Sequence, residues 1–88
     1  MSGDPELKAY IVFLEGGQED LGLLGQHDIK HLAPGLFLVA TPLTQSRLYH
    51  AVKRQVRPNS LLVGELASAP KFKGMSEGAL KWVRALGM

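Results

Sequence analysis

Cysteine is absent from this chain, so neither a disulfide framework nor a thiolate metal site is open to it. Long hydrophobic runs are missing as well: no apolar stretch approaches the roughly 18 to 20 residues that a membrane-spanning helix needs. The opening Met1-Ser2-Gly3-Asp4-Pro5-Glu6 has neither the basic flank nor the apolar core of a signal peptide, which makes a cytoplasmic location the expectation. Acid is scarce beyond residue 34. Residues 35–88 carry eight bases against Glu65 and Glu77, a net +6, whereas residues 1–34 carry six acids against Lys8 and Lys30, a net −4. Such a split makes the molecule a dipole if the halves occupy different faces, and could steer an anionic partner or promote self-association. Interleaved halves would erase it.

What remains is globular in character, with 45% hydrophobic and 20% charged residues among 88. That length makes one domain, near the lower limit for folding without covalent staples. Residues 1–6 read as a frayed tail and 7–88 as the domain. The clearest stretch runs from residue 36 to 67. Leu36-Phe37-Leu38-Val39-Ala40 reads as a buried strand, 44–56 as an amphipathic helix, and Ser60-Leu61-Leu62-Val63-Gly64-Glu65-Leu66 as a second strand. A strand–helix–strand unit of this length is expected to pair its strands in parallel by a right-handed crossover. Thr44 is the expected N-cap; Leu48, Ala51, Val52 and Val56 form the apolar stripe; Pro58 stops the helix.

Upstream, Leu7-Lys8-Ala9-Tyr10-Ile11-Val12-Phe13-Leu14 reads as a central strand closed by Glu15-Gly16-Gly17. Residues 18–26 read as a short or irregular helix, weakened by Gly22 and Gly25 at roughly 1 kcal/mol each relative to Ala. Residues 27–32 would extend that helix or form a strand, and the turn Ala33-Pro34-Gly35 favours a hairpin. Near the end, Ser76 is the expected cap of a last helix. Ala79, Leu80, Val83 and Leu86 would make its buried face, with Trp82 at the border and Gly87 as its stop. The order strand, short helix, hairpin, helix, strand, helix is that of an α+β, ferredoxin-like split βαβ domain with a degenerate first helix and a C-terminal extension.

The run Leu36-Phe37-Leu38-Val39-Ala40-Thr41, followed by Leu43-Thr44 and a helix, resembles the SinR-like small proteins. So does Ser60-Leu61-Leu62-Val63-Gly64-Glu65-Leu66 with the later Gly74-Met75-Ser76 and Trp82. More distantly, the chain is similar to the small CRISPR-associated endoribonuclease-like subunits of the spacer-integration complex. The resemblance covers about residues 8–16 and 36–86, and implies a ferredoxin-like core that pairs as a homodimer. In the nuclease-like relatives an Asp closes the first strand as the proposed metal ligand; here Glu15 stands nearest that place, and the usual long first helix is missing.

The helix at 44–56 supplies the one surface feature with a chemical character. At 100° per residue Arg47, His50, Arg54 and Arg57 fall within about 80° of one another, opposite Leu48 and Val52, with Lys53 on the flank. Arginine forks match phosphate geometry, which makes nucleic acid the candidate partner. A solvated outer face would show the same periodicity. Tyr49 is the sole aromatic near those bases, where a single-strand binder usually wants a stacking platform.

Other patterns are weaker. His27 and His31 have the i, i+4 spacing of helical zinc ligands, but Asp28 stands where the metalloprotease version has Glu, and no third ligand is evident. Gly16-Gly17 and Gly22-x-x-Gly25 match neither the dinucleotide nor the Walker spacing and read as turn glycines, beside acids that would repel phosphate. Ser46, Ser60, Ser68 and Ser76 lack a nucleophile elbow. Phe72, between Lys71 and Lys73, could touch a partner or simply sit in an exposed loop. No catalytic residue, metal site or cofactor is expected. The functional expectation is a small non-catalytic homodimeric adaptor that binds nucleic acid through its basic helix. The alternatives are a metal-dependent endoribonuclease-like enzyme using Glu15 and a purely structural oligomerisation module.

Overall fold

The computed structural model describes residues 7–17 and 28–86. The expected tail at 1–6, the short helix at 18–26, His27 and the stop at Gly87 lie outside the described residues. Six elements follow in order: β1 (Lys8–Glu15), β2 (Asp28–Ala33), β3 (Leu36–Thr41), α1 (Gln45–Val56), β4 (Ser60–Glu65) and α2 (Ala79–Ala85). The strands form one antiparallel sheet in the order β2-β3-β1-β4, which makes this an α+β fold.

β1 is central because its side chains are apolar on both faces. It pairs with β3 from Lys8↔Thr41 to Phe13↔Leu36, and with β4 from Tyr10↔Glu65 to Glu15↔Ser60. β3 and β4 therefore run in the same direction but do not pair, which corrects the expected parallel pairing of the strand–helix–strand unit. A strand–helix–strand pattern sets direction; β1, with two apolar faces to bury, takes the place between. The expected hairpin is present between β2 and β3. Pro34 and Gly35, with Gly35 at φ 75°, follow the Pro–Gly pattern of a type II turn.

The two faces of the sheet are covered unequally. Tyr10, Val12 and Leu14 of β1 and Phe37 and Val39 of β3 meet Leu48, Val52 and Val56 of α1 in the larger buried cluster. Burial of each of those helix side chains stabilises the fold by roughly 1.5–3 kcal/mol. On the opposite face Leu32 and Leu38 pack against Ala79 and Val83 of α2, with Phe72, Met75 and Trp82 at the margin. α2 is short, and part of this face stays open. Phe13 remains 37% exposed and Leu62 59% exposed.

Two expectations for the C-terminal segment are corrected here. The N-cap of α2 is Gly78 at φ 84°, with no side-chain cap. Ser76 is drawn instead to the edge of β2, where its Oγ donates to the His31 carbonyl and its N–H to the Leu32 carbonyl. Leu80 does not join the buried face and is 51% exposed, because one turn contacting the sheet through Ala79 and Val83 leaves position 80 to the side. Trp82 is half-buried at the border, as expected, and its Nε1 donates to Asp28 Oδ1 at 3.1 Å.

Tyr10 ties the sheet to the entry of α1. Its ring is buried, and its hydroxyl donates to the Leu43 carbonyl at 2.7 Å. The Leu43 N–H in turn donates to Thr41 Oγ1. Burial, and secondarily the negative charge of Glu65, push the Tyr10 phenol above its ordinary value near 10. The folded state thus favours the neutral phenol. This stabilisation is complete below about pH 10 and is lost as pH rises through the raised folded-state value. Tyr10→Phe should cost about 0.5–1.5 kcal/mol at neutral pH for the lost hydrogen bond. The gap between parent and variant should narrow above pH 10, which urea unfolding at pH 7 and pH 11 will measure.

Candidate nucleic-acid interface

α1 is specified at both ends by local chemistry. Thr44, at φ −71° and ψ 162°, caps it, its Oγ1 accepting from the Arg47 N–H at 3.3 Å. Such a cap contributes about 1 kcal/mol. The helix stops at Val56, and Arg57 turns into the left-handed region at φ 53°, ψ 53°. Arg57 therefore leaves the helical stripe on which periodicity placed it. Its charge stays at the end of α1, but its direction is set by the turn into Pro58.

Arg47, His50, Lys53, Arg54 and Arg57 are all exposed. Arg47, His50 and Arg54 share the pole opposite Leu48, Val52 and Val56, and Lys53 lies on the flank. Lys53 Nζ sits 5.9 Å from the centroid of Tyr49, and the His50 ring meets Tyr49 edge-on at 5.3 Å. Tyr49 is half-buried and held between these two neighbours, so it offers no free ring for stacking. α1 contains no Asp or Glu, and none of its cations forms an ion pair among the described residues. Nothing on the helix neutralises its outer face.

A shallow depression of about 450 Å³ lies at the C-terminal end of α1, lined by Gly17, Arg54, Gln55, Val56 and Arg57. Gly17, at φ 67°, brings the loop after β1 against this helix end. A Cβ there would stand 2.6 Å from the Arg57 carbonyl oxygen and closer still to that of Val56. Gly16, at φ 79°, lies against the Asn59 side chain. The turn reading of Gly16-Gly17 thus has a steric cause: only residues without Cβ let β1 end beneath the C-terminus of α1. A larger cleft of about 480 Å³ opens elsewhere, at the start of β1 and the end of β4. It is lined by charges of mixed sign, Lys8, Asp28 and Glu65, and does not reach the basic face.

The remaining candidates are dispersed. Glu15 is exposed at the end of β1 opposite Ser60, its carbonyl accepting from the Asn59 N–H at 2.7 Å. Among the described residues no group of three His, Asp or Glu side chains stands where it could hold a metal ion. His31 lies on strand β2, so helical ligand spacing does not apply to it, and its ring stacks on Phe37 at 4.7 Å. Phe72 turns from its loop onto the second core cluster, leaving Lys71 and Lys73 exposed beside it. The outer edge of β4, unpaired among the described residues, is the feature that residue-by-residue reading missed, since edge position follows from strand order alone.

Gly17→Ala should destabilise the fold by about 2 kcal/mol or more, since it adds a contact to the left-handed penalty of about 1–2 kcal/mol. Gly74→Ala, at φ 76° with open space around it, should bear the backbone penalty alone. Thermal unfolding of the two variants side by side separates contact from backbone strain.

Comparison of the chain with protein-family models, with curated proteins and with solved structures gave no match.

Proposed function

We propose that this chain is a non-catalytic homodimeric adaptor, of the ferredoxin-like, SinR-like kind, that binds the phosphate backbone of nucleic acid through the outer face of α1. The observation that carries this reading is that, among the described residues, no acid opposes the charge of that face. Arg47, Lys53 and Arg54 project from a helix without a single acid, and Arg57 extends the line past its end. An acid at i, i+3 or i, i+4 would pair with such a cation and stabilise the helix, and α1 has none. Arg47 and Arg54 are about 10.5 Å apart along the axis, a span that reaches neighbouring phosphates of one backbone.

The absence of a free aromatic ring on α1 argues for contacts to phosphate rather than to bases. Binding of this kind positions without reading sequence. The dimer half of the proposal draws on the edge strand β4, where Leu62 stands exposed beside its cross-strand partner Phe13. A domain this small gains from covering such a strip.

Affinity for a short duplex should fall steeply with salt, with a log–log slope of about −2 to −3 for contacts from Arg47, Arg54 and Arg57. Replacing any one of them by Gln should flatten the slope by roughly one unit and change fold stability by no more than about 0.5 kcal/mol. Lys81→Gln with Arg84→Gln, on α2, is the control and should leave the slope unchanged. A triple Gln variant of the α1 cations that binds like the parent returns this face to a solvated surface.

A further inference from the structure

We infer that the exposed edge of β4 is the surface on which a second copy of this chain docks, joining two sheets across a two-fold axis at Leu62. The inference deepens the dimer named above and does not depend on whether α1 binds phosphate. It starts from the hydrogen-bonding direction along β4. Leu66 donates its N–H to Ala9 on β1, so by the two-residue alternation of a strand Gly64, Leu62 and Ser60 also turn their backbone groups toward β1. Leu61, Val63 and Glu65 then point theirs away from the sheet. The Glu65 N–H confirms this alternation, because it is taken by Gln45 Oε1 from α1 at 3.1 Å. The groups left facing outward belong to Leu61 and Val63.

Those two residues define a register. In an antiparallel pairing of β4 with itself centred on Leu62, Leu61 and Val63 of one copy exchange N–H···O=C bonds with Val63 and Leu61 of the other. Every open backbone group between Asn59, whose N–H goes to Glu15, and Glu65, whose N–H goes to Gln45, is then satisfied. Centring the pair on Leu61 or Val63 would direct bonds onto the occupied groups at 59 or 65. The side chains agree with the backbone. Leu62, 59% exposed, meets its own symmetry mate at a non-hydrogen-bonded pair, where side chains approach most closely. Phe13 flanks it on β1. The charges agree too: acidic Glu65 at one end of β4 comes opposite Asn59 of the second copy, near the basic Arg57 that precedes that strand.

The opposite edge explains why such pairing would stop at two. β2 carries a register shift between His31 and Ala33, and the chain around Ser76 occupies its outward side. Lys30 Nζ adds a bond to the Glu77 carbonyl at 2.9 Å. One edge is closed and the other open, so the association is a closed pair rather than a filament. An in-plane strand pairing also keeps both α1 helices on the same side of the joined sheet.

Light scattering of the full chain from low to high micromolar concentration should give twice the 9.6 kDa chain mass. Leu62→Lys should return the mass to that of one chain without changing the far-ultraviolet circular dichroism. Leu62→Cys supplies the molecule with its only thiol. The Cα separation of about 4.5 Å at a non-hydrogen-bonded pair lies within disulfide range, so mild oxidation should link two chains covalently. A parent that stays at the mass of one chain overturns both the dimer and the edge. A dimeric parent whose Leu62→Cys variant does not cross-link, or whose folded Leu62→Lys variant stays paired, overturns the edge and leaves the dimer standing.

Discussion

Everything in this fold hangs on the alternation of β1. Tyr10, Val12 and Leu14 point to one side and meet α1, while Ile11 and Phe13 point to the other, Ile11 against the cluster of α2 and Phe13 partly exposed. A slip of one residue would exchange these sets, placing the Tyr10 hydroxyl away from Leu43 and the open position of Phe13 under α1. The register is therefore fixed from both faces at once. β3 and β4 take theirs from β1, and the helix between them is obliged to cross the sheet on the Tyr10 side, where its apolar stripe finds partners.

The same alternation determines where the charges of α1 can go. Leu48, Val52 and Val56 are committed to the Tyr10 side, so Arg47, His50 and Arg54 are carried outward with no freedom to turn in. Gln45 marks the boundary between the two roles of this region. It lies at the first turn of the helix yet serves the sheet, closing the Glu65 N–H at one end of β4. Helix and edge strand are thereby fixed relative to each other by a side chain as well as by packing. A basic face and an open edge thus sit on one rigid half of the molecule.

Much of this could be read from the sequence, for identifiable reasons. β1, β3 and α1 are strong signals because their apolar residues follow a single period, and the Pro34-Gly35 turn has its own local chemistry. The cationic face of α1 was legible for the same reason, being the complement of an apolar stripe. Arg57 was not, because its left-handed turn depends on the chain between α1 and β4 and on Gly17 approaching from β1. Ser76 could not be placed locally either, since its partner, the edge of β2, is 45 residues away. Leu80 looked like core because helical spacing marks which residues share a face but not how wide a surface that face meets. The edge of β4 was invisible for a deeper reason: strand order is a property of the whole sheet, and no single segment encodes it.

α1 and α2 owe their stability to different causes. α1 has twelve residues, a side-chain cap and three fully buried anchors. α2 has seven residues and begins at an uncapped glycine, a length at which an isolated helix does not persist in water. It is held instead by β2, through Ala79 and Val83 against Leu32, the Trp82 indole on Asp28 and Lys30 on the Glu77 carbonyl. Among the described residues β2 in turn has only β3 as a strand neighbour and relies on the α2 segment to cover its other side. Each supplies what the other lacks, which makes them one cooperative unit. The half of the sheet that gives up its free edge to this mutual support has its outward side occupied by the chain around Ser76. The half built on β1, α1 and β4 stands without it, and is left with its strand edge and its charges available.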